Sequence, residues 1–402
     1  MADFYQTGVV ATFHRLGPVN MEKIEAELGW YAQERPIALI LPSLYSELEG
    51  AALKGIVRHL QDVKYVKEIV VTLGPATEEE FRKAKDFFSV LPQKTSLIWN
   101  TGTRLTSIYR VIEEAGLPVG EPGKGRSAWM AYGYVLSQQE FHVIALHDCD
   151  IVTYSRDLLA RLCYPVVNPN LDYDFCKGFY SRVTDRLHGR ATRLLVTPLI
   201  RSLQKIIGHH PLLLFFDSFR YPLAGEFSMD VDMARVNRIP GDWGLEVGVL
   251  AEVYRNTSLR RVCQVDIAEN YEHKHQALSA EDATKGLHKM CVDICKSIFR
   301  TLASEGIIFS DGLFKTLVAT YVRTAQDMLK RFEDDAAING LFFDRHEESL
   351  AVDTFTHGIS QAADIIMGNP IGVPLISSWD RVTSAIPDIL LRIRKEVEAD
   401  NA

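Results

Sequence analysis

Residues 141–151 read FHVIALHDCDI and set two carboxylates, Asp148 and Asp150, directly after an apolar run. If Val143, Ile144, Ala145 and Leu146 form a strand, alternation points both acids to one side and Cys149 to the other. Paired carboxylates at the end of a buried strand repel each other and resist desolvation. A divalent cation relieves both costs, and hard oxygen ligands suit Mg²⁺ or Mn²⁺. The same spacing recurs at Asp172/Asp174 and Asp230/Asp232, but neither pair is read as following an apolar strand run. Two basic segments add to the pattern. Lys124 stands between Gly123 and Gly125, and Arg190 follows Gly189. Cationic side chains beside glycine backbone N–H groups suit phosphate oxygens. His273, shortly after an apolar run, offers a nitrogen ligand to the same cation. A cation flanked by basic groups is what a nucleoside diphosphate leaving group needs, because charge builds on it as its bond breaks.

These residues need a scaffold, and the chain predicts one. Short apolar strands are expected at 37–42, 68–73, 96–99 and 143–146. Helical spacing lies between them at 47–60, 78–88 and 106–115, the last closed by Gly116. Asn20 is expected to cap a short helix, and Ser127 to cap another reaching about Leu136, with 123–126 as a basic loop before it. Such alternation implies right-handed βαβ units and a parallel sheet, which binds ligands outside the carboxyl ends of its strands. Neither GxxxxGK[ST] nor a GxGxxG opening a helix directly after a strand is present. Further on, strands are expected at 175–182 and 262–267, a basic loop at 188–193, and helices from 199 to 207 and from Glu246. From about residue 280 the chain reads as helical. Phe314, Leu317, Tyr321, Ala325, Met328 and Phe332 form a stripe suited to a core or a subunit interface, and hence to a dimer. The charged stretch 392–402 is expected to fray.

Composition bounds the rest. At 402 residues the chain has room for two domains, or for one with an extension. It is 47% hydrophobic and 24% charged, as in globular proteins. The net charge of -8 argues against broad nucleic-acid binding. No apolar run approaches the roughly 20 residues that span a bilayer, 211–216 being the longest candidate, and no signal peptide is read. Six scattered cysteines fit a reducing cytoplasm, and Cys291 and Cys295 read as core thiols.

Taken in order, Pro42-Ser-Leu44, Gly123-Lys-Gly125, Asp148-Cys-Asp150, Gly189-Arg-Ala-Thr192, Pro222-Leu-Ala-Gly-Glu226, Gly244-Leu-Glu246 and Glu272-His273 resemble the glucosyl-3-phosphoglycerate synthases. These are retaining glycosyltransferases of the GT-A fold, related to mannosyl-3-phosphoglycerate synthases. The resemblance spans about residues 36–280. It implies a GT-A catalytic domain there, with a nucleotide-binding half at about 36–150 and an acceptor-binding half at about 151–280. Residues 1–35 are then a lead-in and 281–402 a helical extension.

The implied reaction moves glucose from a nucleotide sugar, UDP-glucose above others, to the 2-hydroxyl of 3-phosphoglycerate with Mg²⁺ or Mn²⁺. The resemblance implies that Pro42, Ser43 and Leu44 line the uridine pocket, with Glu47 beside them, and that Lys124 approaches the diphosphate. Asp150 and His273 would ligate the metal, with Asp148 nearer the ribose or sugar. Leu223, Ala224 and Gly225 would border the sugar, and Glu246 the reacting hydroxyl. Gly189, Arg190, Thr192 and His275 would hold the acceptor.

Three departures leave choices open. Tyr45 and Ser46 precede Glu47, which stands one place late. Thr72-Leu73-Gly74 replaces an expected Asp, so GDP donors stay open. His275 stands for an expected Asn, so glycerate stays open as acceptor. Two other classes compete. A sugar-nucleotide pyrophosphorylase would explain Thr101-Gly-Thr-Arg104, although that signature belongs after the first strand. A module that binds the donor without turnover is the other.

Overall fold

The computed structural model describes residues 6, 8–18, 20–273, 286–370, 372 and 375–402. Its centre is an eight-stranded sheet: β1 (Ala11–Phe13), β2 (Ile37–Ser43), β3 (Val66–Leu73), β4 (Lys94–Trp99), β5 (Val143–Leu146), β6 (Phe175–Tyr180), β7 (Phe227–Asp230) and β8 (Val262–Ala268). The spatial order is β1-β8-β6-β7-β5-β2-β3-β4. All pairings are parallel except those of β7, which runs antiparallel to both β5 and β6. The expected parallel α/β sheet is therefore present, with one reversed strand inserted. β1 falls in the stretch expected to be a lead-in. β7 ends in Asp230, so the Asp230/Asp232 pair does follow a strand, one whose Ser228 keeps it from registering as an apolar run.

The sheet is covered on both sides, as a parallel sheet must be. Alternation sorts its side chains into two layers. Ala38, Ile40 and Val70 enter one core, and Leu39, Leu41, Ile69 and Val71 the other. The helices Ala51–Leu60, Glu78–Phe88 and Arg156–Val167 cover the second face with Leu53, Phe81 and Leu158. The expected helix at 47–60 is broken in two, Tyr45–Leu48 and Ala51–Leu60. Asn20 caps Met21–Tyr31 as expected, its side chain accepting from the Lys23 amide.

Three helix expectations change in ways that bear on function. The helix assigned to Ser127 begins at Lys124, so Gly123-Lys-Gly-Arg126 is its cap and first turn, not a free loop. Ser127 is interior, its amide donating to the Gly123 carbonyl at 3.0 Å. The loop after Gly189 runs into a π-helix, Ala191–Val196, continuous with Thr197–Ile207. The stretch expected to fray is part of a helix, Ile389–Asn401, whose last residue docks on edge strand β4. Asn401 Oδ1 accepts from the Leu97 amide at 2.9 Å, and its Nδ2 donates to the Leu97 carbonyl at 2.8 Å.

The helical extension shares the first core layer. It comprises Gly286–Ser304, Asp311–Ile338, Arg345–Gly368, Trp379–Ala385 and Ile389–Asn401. Leu317, Tyr321 and Ala325 of the apolar stripe are fully buried, and Tyr321 Oη donates to the Leu194 carbonyl at 2.6 Å. The stripe is thus consumed inside the chain and no longer argues for a dimer. Trp379 stacks on Trp129 with centroids 4.2 Å apart. Each indole N–H reaches a carbonyl across the contact, Trp129 to Ser377 and Trp379 to Trp129. Gly133 permits this, because a Cβ there would lie 2.2 Å from the Trp379 ring. Cys291 and Cys295 are buried thiols 3.9 Å apart, as expected of core residues. Among the described residues no helix is long and apolar enough to cross a membrane.

Candidate active site

The carboxyl end of β5 opens into a cavity of about 680 Å³ whose walls include Lys124, Asp148, Arg190, Tyr221, Glu246 and His273. That volume suits a small ligand bearing a few fixed polar contacts. Its polar centre is a triad of charges. Lys124, the first residue of Lys124–Gln138, places Nζ 2.6 Å from Asp148 Oδ1 and 3.1 Å from Glu246 Oε1. Glu246 comes from the first turn of Leu245–Asn256. The loop leading into that helix packs closely on the start of Lys124–Gln138 because Gly125 has no side chain, and a Cβ there would meet the Pro240 carbonyl at 2.2 Å. Burial disfavours charge on Lys124, but Asp148 and Glu246 outweigh it and keep the ammonium protonated well above the usual lysine range. Burial likewise opposes ionisation of Asp148, and the Lys124 charge overrides it and holds the carboxyl below its usual value. Since Lys124 opens a helix, free backbone N–H groups and the helix dipole also favour an anion there.

Asp150 and His273 meet across an isolated bridge that joins Ile151 to His273. Asp150 Oδ2 and His273 Nδ1 are 3.6 Å apart, longer than a hydrogen bond, and both side chains are about one-quarter exposed. Among the described residues no three His, Cys, Asp or Glu side chains gather as a complete metal cage. A carboxylate and an imidazole nevertheless fit Mg²⁺ or Mn²⁺ held jointly with a diphosphate, because Mg²⁺ commonly takes one or two protein ligands and completes its shell with phosphate and water.

The remaining expected donor residues lie along the adjoining edge. Pro42 and Ser43 end β2, and Leu44 is exposed beside them. The Glu47 carboxylate accepts from the Leu44 amide at 3.3 Å and from Ser43 Oγ at 3.4 Å. Burial, with Asp150 and Asp148 nearby, pushes Glu47 up to about 7. Its displacement by one place in the sequence therefore still leaves it facing the paired acids. Leu223 and Gly225 border the cavity, whereas Ala224 is turned into the second core layer. Gly225 abuts the acids directly, since a Cβ there would lie 2.6 Å from Asp148 Oδ2.

On the opposite wall, Gly189 has φ +75°, a conformation that side chains rarely adopt. Arg190 next to it reaches the extension, with NH2 2.7 Å from Glu347 and Nε 2.7 Å from Glu348. Thr192 is buried in the π-helix, and its Oγ1 has no hydrogen-bond partner among the described residues. Single-turn π segments recur at functional sites. His275 lies outside the described residues.

Several neighbours of the site were given no role from sequence, Glu226 among them although it closes the Pro222-Leu-Ala-Gly-Glu226 motif. Glu226, just before β7, is fully buried and accepts from Tyr180 Oη at 2.8 Å and Tyr271 Oη at 2.5 Å. Burial and then the Asp148 charge raise its pKa despite the two phenols. Lys177 on β6 is 1% exposed, and its Nζ has no hydrogen-bond partner among the described residues. Burial lowers it to about 8, partly offset by Glu246 and Glu226. A lysine inside the strand Phe-Cys-Lys-Gly-Phe-Tyr was a usable signal, because both of its flanks are apolar. Glu347 and Glu348 carried no such signal, being two acids in the first turn of a polar helix.

Comparison with known proteins bears directly on this geometry. No family model matches the chain. A glucosyl-3-phosphoglycerate synthase of Persephonella marina is 47% identical over 402 residues, all of both chains. One from Methanococcoides burtonii is 38% identical over 403 residues, covering 99% of this chain and 98% of its own. Among solved structures, the glucosyl-3-phosphoglycerate synthase of Mycobacterium tuberculosis with Mg²⁺ and UDP superposes with a TM-score of 0.51 at 20% identity. The match covers 75% of this chain and 89% of the other. The same protein with Mn²⁺, UDP-glucose and phosphoglyceric acid gives 0.51 at 21% identity, with the same coverage. The structural likeness shows a shared fold.

Proposed function

Because the chain belongs to the glucosyl-3-phosphoglycerate synthase family, we propose that it transfers glucose from UDP-glucose to the 2-hydroxyl of 3-phosphoglycerate with retention of anomeric configuration. The observation that carries this reading is Lys124 held between Asp148 and Glu246 at the mouth of the cavity. One ammonium there spans the place for a leaving diphosphate and the place for a reacting hydroxyl. Lys124 and its helix start bind the diphosphate, and Asp150 and His273 hold the divalent ion that neutralises charge on it as the glycosidic bond breaks. Asp148 orients the ribose or sugar. Glu246 holds the sugar hydroxyls and the attacking hydroxyl, whose proton passes to the departing phosphate in a same-face displacement. Pro42, Ser43, Leu44 and Glu47 bind the nucleoside, while Leu223 and Gly225 border the sugar. Gly189, Arg190, Thr192 and His275 hold the acceptor. The reading includes a GT-A catalytic unit at about 36–280 with a helical extension, acting in the cytoplasm in compatible-solute synthesis.

The test is nucleotide release with 3-phosphoglycerate and Mg²⁺, run in parallel on UDP-glucose, GDP-glucose and GDP-mannose with EDTA controls. Release from UDP-glucose alone, dependent on both metal and acceptor, is the expected outcome. Release with D-glycerate in place of 3-phosphoglycerate would reassign the acceptor. Nucleotide binding without release from any donor would remove the catalytic roles given above.

A further inference from the structure

The arginine assigned to the acceptor is not presented to the cavity as a bare cation. Arg190 donates from Nε to Glu348 and from NH2 to Glu347, each at 2.7 Å. Arg193 NH2 lies 3.0 Å from the other oxygen of Glu348. Two guanidiniums thus face two carboxylates, and the cluster carries no net charge. An anion entering the cavity meets a neutral group there.

The two acids differ in place. The Glu348 side chain is 6% exposed and bridges both arginines. Arg193 is itself committed, donating to the His188 carbonyl at 2.8 Å and the Leu187 carbonyl at 3.3 Å, and lying over the Phe332 ring. Glu348 therefore fixes the frame. Glu347 is 48% exposed, holds only one corner of Arg190, and lies on the cavity wall. A half-exposed single contact is weak and readily exchanged. The same wall is fastened to the extension a second time, where the Phe342 amide donates to the Asp185 carbonyl at 2.8 Å and its ring lies under the Arg186 guanidinium.

We propose that Glu347 occupies the acceptor's anion place on Arg190, so that the helical extension sets acceptor affinity. An arriving phosphate or carboxylate displaces Glu347 while Glu348 keeps Arg190 aimed. This rests on Arg190 being an acceptor ligand. Glu347 is then a residue that tunes affinity, and Glu348 a positioning residue.

The experiment measures acceptor KM at saturating UDP-glucose for the full chain and for Glu347→Gln, Glu348→Gln and Arg190→Ala, at low and high salt. Glu347→Gln is expected to lower the KM for 3-phosphoglycerate about two- to fivefold, the scale of one half-exposed ion pair. That gain should shrink as salt rises, which a purely structural contact would not show. Glu348→Gln should raise KM, because Arg190 loses its buried anchor. An unchanged or higher KM in Glu347→Gln, alongside a damaged Arg190→Ala, overturns the proposal and keeps Arg190 as ligand. An unchanged KM in Arg190→Ala overturns the acceptor assignment and the proposal with it. Glu347 is at the surface, so its variant is expected to fold, and the decisive arm does not depend on the buried Glu348.

Discussion

The two sides of the cavity are built on different plans. The donor side hangs from strand ends. Asp148 and Asp150 follow β5, Pro42 and Ser43 end β2, and Lys124 starts a helix only some twenty residues before those acids. Most of these side chains are set by strand ends and helix starts, although Glu246 joins Lys124 from 122 positions away. The acceptor side is held by charges brought together across the chain, such as Arg190 and Glu348, 158 positions apart. Behind the Lys124, Asp148 and Glu246 charges lie a fully buried acid, Glu226, and a buried lysine, Lys177. The donor side should therefore lose chemistry without losing stability when a charge is removed, whereas the acceptor side should respond in stability.

The largest expected effect tests the first half of that contrast. Asp150→Ala is expected to lower turnover about 10³-fold, on the scale of metal and electrostatic stabilisation of a leaving group, with an unchanged melting temperature. Full activity in steady-state assays would remove Asp150 from the metal site, and a large drop in melting temperature would break the contrast.

Lys177, buried behind the site, tests how far an uncompensated buried charge governs stability. Its pKa falls from 10.5 to about 8 in the fold. The unfolded chain takes up the proton from pH 10.5 downward, but the folded chain resists until about pH 8. The fold therefore carries no penalty above pH 10.5, loses stability as pH falls from 10.5 to about 8, and carries the full penalty below. At about 1.4 kcal/mol per unit, Lys177→Met should stabilise the protein by about 3 kcal/mol below pH 8, the gain vanishing towards pH 10.5. Chemical denaturation at pH 7 and pH 10 checks this, and an unstabilised variant at pH 7 would sink it.

Gly225→Ala sharpens the comparison within the donor side. The added methyl meets Asp148 and should cost about tenfold in kcat/KM, as small misplacements do, with little change in melting. The smallest expected effect lies far from the cavity. Asn401→Ala removes two hydrogen bonds to β4 and should cost about 1 kcal/mol, read by denaturation with kinetics unaltered.

What sequence reveals follows the same division. The strands β2 to β5 and β8 are legible because their apolar runs have few alternative fates, and the donor residues are legible with them. β1, Ala11–Phe13, is too short for periodicity to mark, and β7, Phe227–Asp230, is as long as β5 but is interrupted by Ser228 and ends in Asp230. The Lys124 segment reads as a loop because glycines flank it, yet those glycines serve the close approach of the helix start to the Pro240-Gly241 backbone. Arg190 is visible as a cation beside a glycine, but its partners are not. Nothing near position 190 signals that a helix beginning at Arg345 will supply two carboxylates. The apolar stripe around Leu317 and Tyr321 is plain in the sequence, while its destination, core or second subunit, is settled only by what packs on it.

The docking of Asn401 on β4 also has a consequence during synthesis. An uncovered edge strand is a template for pairing with another chain. The residue that covers Leu97 lies 304 positions later. At about 5–20 residues per second, the ribosome needs roughly 15 to 60 seconds to deliver it. For that interval β4 has its final neighbour β3 on one side and nothing yet on the other. A nascent chain of this protein is thus exposed to aberrant association after its sheet has begun to form, and the helix Ile389–Asn401 is the one that closes that window.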